Sequence, residues 1–290
     1  METAHTLAMR DGVAIHYRLT RTAGPRREVV VLLHGLASNL TRWSEFVEQT
    51  SLGERYDLMR VDLRGHGESF TRGQIGMRIW CEDLLTLLDH EKYDRAIIVG
   101  HSLGAQIAAQ FACRTPERTL AMVLIDPVFR SALTRKWRLI AHLLPLAWIL
   151  VWTIRLLNKL GLRRRHIPNR DLRRLDEKTR ATMLSQGKQA EMIARYSSPW
   201  PDLEHFPTAN YIAEYIELLR PLPDLDKLVM PVLILLSKGI TFTDLDKLGK
   251  AVRAIPHGES QLVQAYHWPL TENPVGVRTA IENWIARLQD

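Results

Sequence analysis

The stretch Ile97-Ile98-Val99-Gly100-His101-Ser102-Leu103-Gly104-Ala105 decides how the rest of the chain is read. A short β-branched run meets Gly-x-Ser-x-Gly, and Gln106 to Cys113 then has the pattern of a helix. Strand, tight turn and helix are the context of a nucleophile elbow, where a serine hydroxyl stands clear of a sheet. Gly100 and Gly104 suit that turn because a Cβ at either place would crowd it. The helix following Ser102 aims its N-terminal amides at the serine, which favours a developing negative charge.

Working outward, Val29–Leu33, Asp57–Val61, Arg95–Val99, Ala121–Ile125 and Pro231–Leu236 read as strands, and Ser260–Val263 as a short last one, Val29–Leu33 being apolar throughout. Continuous apolar runs of this kind belong to strands covered on both faces. Thr6–Met9 and Val13–Leu19 alternate around Asp11-Gly12, a hairpin signal. Helical patterns fall at Trp43–Gln49, Arg78–Glu91, Leu245–Ala254 and from about Val275 to Leu288, and Pro25, Arg26 and Arg27 mark a loop. Strands alternating with helices predict a parallel sheet with right-handed crossovers. Ligand sites in such sheets lie beyond the carboxyl ends of the strands, where Leu36, Ser102 and Asp126 fall. The alternation stops at about Val128 and no convincing strand follows before Arg220, so the segment reads as an inserted helical cap.

The 290 residues, 46% hydrophobic and 24% charged, describe a globular chain able to bury a large core. Cys81 and Cys113 form no disulfide framework or metal cluster and are expected as free thiols. The N-terminus has no basic and apolar leader pattern, so a cytoplasmic location is expected. Net charge is +7, yet Pro127 to Trp200 holds 16 Lys/Arg against 4 Asp/Glu. A basic segment thus sits inside an otherwise mildly acidic chain.

The chain resembles the α/β-hydrolase superfamily across nearly its full length outside the cap. His34-Gly35, Asp62-Leu63-Arg64-Gly65-His66-Gly67-Glu68-Ser69, Gly100-His101-Ser102-Leu103-Gly104 and His267-Trp268-Pro269-Leu270-Thr271-Glu272-Asn273-Pro274 carry the resemblance, in order and at matching spacing. It implies an α/β fold with a mostly parallel eight-stranded sheet flanked by helices, and a cap inserted after the sixth strand. The expected division is a core of residues 1–126 and 221–290 and a cap of 127–220. By position, Ser102 corresponds to the nucleophile, His267 to the general base, and the Leu36 and Leu103 backbone N–H groups to the oxyanion hole. Serine needs such a base within hydrogen-bond reach. Arg64 and His66 read as residues that hold their loop rather than as catalysts.

One part of the family pattern is missing. The acid is expected just after the seventh strand, but Ser237-Lys238-Gly239-Ile240 has isoleucine there. Asp126, closing the sixth strand, is the preferred replacement, and Asp244 the alternative. The serine at the elbow excludes dehalogenase and epoxide-hydrolase chemistry, whose enzymes carry aspartate there. The resemblance implies hydrolysis of a carboxylic ester with an apolar acyl or alcohol part, without metal or organic cofactor. Thioesterase, lactonase and carbon–carbon bond hydrolase activities share this machinery, and a ligand-binding protein without turnover is the alternative from another class.

Leu139 to Leu157 is strongly apolar, with Trp148 and Trp152 four residues apart and basic residues on both flanks. Its length approaches the ~20 residues of a membrane span, but His142, Pro145 and Arg155 argue against one. The expected roles are an apolar wall of the substrate pocket, with Trp148 and Trp152 as substrate-binding residues, and contact with a membrane surface through residues 135–165. Aromatic interleaving of the kind that binds nucleic acid is absent.

Overall fold

A computed structural model describes residues 1–23, 28–222, 225–239 and 245–288. The loop expected at Pro25, Arg26 and Arg27 lies outside these residues. Eight strands form one sheet: β1 (Glu2–Ala8), β2 (Ala14–Thr20), β3 (Val29–Leu33), β4 (Asp57–Val61), β5 (Ala96–His101), β6 (Thr119–Ile125), β7 (Val232–Ser237) and β8 (Gly258–Val263). The sheet order is β1-β2-β4-β3-β5-β6-β7-β8. The first hairpin joins antiparallel, and every pairing from β4 to β8 is parallel.

Between strands run α1 (Ser44–Gln49), α2 (Met77–His90) and α3 (Leu103–Arg114). After β6 come α4 (Arg135–His142), α5 (Leu144–Lys159), α6 (Leu172–Thr179), α7 (Gln189–Tyr196), α8 (Pro199–Leu203) and α9 (Thr208–Leu218). The chain closes with α10 (Leu245–Val252), α11 (Pro269–Glu272) and α12 (Pro274–Arg287). This is the expected α/β architecture, with only helical elements between β6 and β7 among the described residues.

Side-chain alternation explains why the central strands are apolar throughout. Val29, Val31 and Leu33 of β3 face one side, packed with Ile98, Met122, Trp80 and Leu87 beneath α2, α3 and α9. Val30 and Leu32 face the other, with Val99, Val123, Trp43 and Trp284. Period two with helices on both faces leaves no polar side for a central strand.

The apolar stretch 139–157 is not one helix. It breaks at Leu143, where α4 and α5 meet at 55°, Pro145 lying in the first turn of α5. Proline is tolerated there because its missing N–H would have had no partner. No single helix among the described residues is long and apolar enough to cross a membrane.

Candidate active site

The carboxyl ends of β3, β5 and β6 meet at one place, and each carries a strained residue. Among the described residues, four non-glycine residues have left-handed backbone angles: Ala37 (φ +49°), Lys92 (+57°), Ser102 (+52°) and Asp126 (+47°). Three of these stand just beyond adjacent strand ends. Such conformations cost of order 1–3 kcal/mol each and persist where the surroundings over-determine them. At Ser102 the surroundings are tight. Its N–H donates to the Ile125 carbonyl at 2.8 Å. A Cβ on Gly100 would come within 2.2 Å of the Gly104 carbonyl oxygen, and one on Gly104 within 2.4 Å of the Leu33 carbonyl oxygen. The glycines therefore let the strand, turn and helix pass at backbone contact.

Ser102, His101 and His267 line one cavity of about 370 Å³. Gly35 and Leu36 from the β3 end line it too, with Tyr196, Tyr211 and Tyr215 from the helices inserted after β6. Neither the Leu36 nor the Leu103 backbone N–H has an acceptor among the described residues. Two amides beside a serine, both unsatisfied, can receive an oxyanion.

His267 follows β8 in a loop gathered by one carboxylate. Glu272 accepts the backbone N–H groups of Tyr266 (3.0 Å), His267 (3.2 Å) and Trp268 (3.0 Å). The imidazole Nδ1 lies 3.6 Å from Asp126 Oδ2. Asp126 is itself held by Ser237, whose backbone N–H donates to Oδ1 at 2.7 Å and whose hydroxyl donates to Oδ2 at 2.6 Å. Burial pushes the His267 imidazole down to about 4, so the ring is neutral near pH 7 and can take a proton. Burial pushes the Asp126 carboxyl up to about 7; the two Ser237 hydrogen bonds oppose that shift, and the charge of Glu272 adds to it.

The other residues singled out from the sequence are placed as follows. Asp244 lies outside the described residues. Arg64 pairs with Asp83 at 2.7 Å and with Asp11, away from the cavity. His66 is fully buried, its Nε2 3.2 Å from Glu214 Oε1, and is not part of the cavity wall. Trp148 and Trp152 do not line the Ser102 cavity either, contrary to expectation. The rotation of α5 explains this. Val151 and Ile154 turn inward onto the core, Trp152 is 62% exposed, and both tryptophans border a separate surface cavity. The aromatic wall of the Ser102 cavity instead comes from Trp137, Trp268 and tyrosines of α7 and α9.

Several supporting groups are not among the residues the sequence singled out for the site. Ser237, Glu272 and Glu214 each act through backbone N–H groups; Glu214, fully buried on α9, accepts the Ala37 N–H at 3.1 Å. Arg42 lines the cavity, donates to Thr271 at 2.7 Å and pairs with Asp176 of α6. No group of three or more His, Cys, Asp or Glu among the described residues is arranged to hold a metal ion.

Comparison with known proteins agrees with this fold. Residues 28–274 match the model of the alpha/beta hydrolase fold. The chain belongs to the alpha/beta hydrolase family. A Haemophilus influenzae protein provisionally named an esterase/lipase is 29% identical over 98 residues, 34% of this chain and 33% of that protein. The chain thus spans about a third of the length of the curated relatives it matches. Among solved structures, a thermophilic esterase from Thermogutta terrifontis aligns over 100% of both chains with a TM-score of 0.66 and 20% identity. The enol-lactonase from Burkholderia xenovorans aligns over 97% of this chain and 100% of its own, with a TM-score of 0.69 and 16% identity. At such identities these two describe a shared fold.

Proposed function

We propose that this alpha/beta hydrolase is a serine hydrolase that cleaves a carboxylic ester with an apolar acyl or alcohol part. The observation that carries the reading is the strained Ser102 sharing one cavity with His267, whose Nδ1 faces the buried Asp126 at 3.6 Å. Neutral His267 accepts the Ser102 proton as the hydroxyl oxygen attacks the ester carbonyl. The imidazolium that forms is stabilised by ionised Asp126. The Leu36 and Leu103 N–H groups hold the oxyanion, a contribution of about 3–4 kcal/mol per donor in related chemistry. His267 then returns its proton to the leaving alkoxide, and water repeats the sequence on the acyl-enzyme. Catalytic hydrogen bonds are commonly long before substrate binds, so 3.6 Å suits a resting pair.

The helices of residues 127–220 act in this reading as a cap that supplies most of the pocket wall. Trp137, Leu172, Leu175 and Leu218 give the apolar surface for the substrate chain. A second reading, in which the substrate chain carries an acidic group, is favoured by Arg170 and Arg195 in the same wall, where Asp202 is the sole lining carboxylate among the described residues. Lactone or thioester substrates would use the same residues.

The test is hydrolysis of p-nitrophenyl esters of rising chain length, with and without a terminal carboxylate, by wild type, Ser102→Ala and Asp126→Asn, together with labelling by a fluorophosphonate. Turnover should fall by about 10⁴ or more in Ser102→Ala, with loss of labelling. Wild type that neither labels nor turns over any of these esters would leave a ligand-binding protein.

A further inference from the structure

We infer that the outer face of α4 and α5 docks on the surface of an anionic lipid bilayer. Soluble helices turn polar residues outward. Helix α5 does the reverse. Leu146, Ile149, Leu150, Trp152 and Leu156 all face solvent, Ile149 at 63% exposure. The polar residue among them, Thr153, spends its hydroxyl on the Ile149 carbonyl. Meanwhile Arg155 points inward, where its Nε and one terminal nitrogen are buried without an acceptor among the described residues. A helix with apolar residues outward and a cation inward is arranged for an apolar exterior.

Charge identifies that exterior. Between Asp126 and Asp171 the sequence contains ten Lys/Arg and no Asp or Glu. Exposed Arg135, Lys136 and Arg138 stand at one end of the apolar face, and Lys159, Arg163 and Arg165 at the other. None of these six pairs with a carboxylate among the described residues. Apolar side chains of this size enter the boundary between headgroups and acyl chains, while flanking cations meet anionic headgroups. A second copy of the same face would bring like charges together in a two-fold contact, which opposes self-association there. Trp152 borders the cavity lined by Arg155, of about 390 Å³, so a headgroup oxygen reaching past it would supply the acceptor that guanidinium lacks. Helix α4 also sends Lys136 and Trp137 to the wall of the Ser102 cavity, so docking would set that cavity beside the lipid surface.

The test is flotation of the full chain with vesicles of phosphatidylcholine alone and of phosphatidylcholine containing phosphatidylglycerol. Wild type should float with the anionic vesicles, less with neutral ones, and less as salt rises. The double variant Ile149→Glu, Leu156→Glu changes only exposed side chains. It should bind anionic vesicles at least about tenfold more weakly, with an unchanged thermal midpoint. Arg163→Glu, Arg165→Glu should lose the preference for anionic lipid while keeping the melting transition. Wild type left at the bottom of the gradient overturns the proposal, as does a Glu double variant that floats like wild type. A dimer in sedimentation velocity that fails to float and is dissolved by the Glu double variant would assign the face to a second copy instead. These readouts need no substrate, so they stand apart from the outcome of the ester assays.

Discussion

Ser237→Ala is expected to move the acid limb of kcat/KM to higher pH without abolishing turnover. The Ser237 hydroxyl donates at 2.6 Å to Asp126 Oδ2, the oxygen that faces His267. A hydrogen bond to a charged group contributes about 1.5–3 kcal/mol. One pKa unit corresponds to about 1.36 kcal/mol, so losing the bond should raise Asp126 by about 1–2 units. The sign follows from what the bond stabilises: it favours the carboxylate, so its loss favours the protonated form. Asp126 starts from about 7 because of burial. Once protonated it no longer stabilises the imidazolium, and activity is lost as pH falls through its pKa. His267, at about 4, titrates well below that limb. Wild type should therefore lose kcat/KM below about pH 7 and Ser237→Ala below about pH 8 or 9. The Ser237 N–H still holds Oδ1 at 2.7 Å, so the high-pH plateau should remain close to wild type. The assay is kcat/KM for a short-chain p-nitrophenyl ester against pH. A variant limb that stays in place or moves down refutes the reasoning. A wild-type limb near pH 4 would refute it equally, making His267 the titrating group.

Other changes test the scaffold around the site. Glu272→Ala removes the acceptor for three consecutive N–H groups of the His267 loop; kcat for the same ester should fall about 10–100-fold by misplacement of the base, with KM little changed. Gly104→Ala puts a Cβ against the Leu33 carbonyl, and urea unfolding should show a loss of about 3 kcal/mol or failure to fold. Glu214→Gln keeps an acceptor for the Ala37 N–H but replaces the carboxylate oxygen 3.2 Å from buried His66; calorimetry should show a lower melting temperature.

Local chemistry made much of this legible in advance. Val29–Leu33 and Ala121–Ile125 announce central strands because both faces are covered, and Gly100 with Gly104 brackets the turn that only close backbone contact requires. Ser102, His267, Asp126, Leu36 and Leu103 could be put forward as candidates because each follows a strand end or matches a family motif. What stayed hidden acts across the chain. Nothing near Ser237 in the sequence says that it donates twice to a residue 111 positions earlier. Glu272 falls inside a family motif, but neither it nor Glu214 shows in the sequence which N–H groups it accepts. The apolar run 139–157 reads as one unit because its break at Leu143 has no glycine to mark it, and four-residue spacing put Trp148 and Trp152 together without saying which side faced the site.

The helices inserted after β6 differ in how they are attached, and this limits which of them can be exchanged for foreign sequence. Asp176 of α6 neutralises Arg42, Asn210 of α9 donates to the Thr71 carbonyl at 2.7 Å, and Glu217 accepts the Met77 N–H at 3.2 Å. A transplanted segment lacking those groups would leave the Arg42 guanidinium, the Thr71 carbonyl and the Met77 N–H unanswered. Helices α4 and α5 rest on the core mainly through apolar residues such as Ala141, Val151 and Ile154. They are the portion that can be swapped between relatives to change what the protein meets while the sheet and its serine keep their shape.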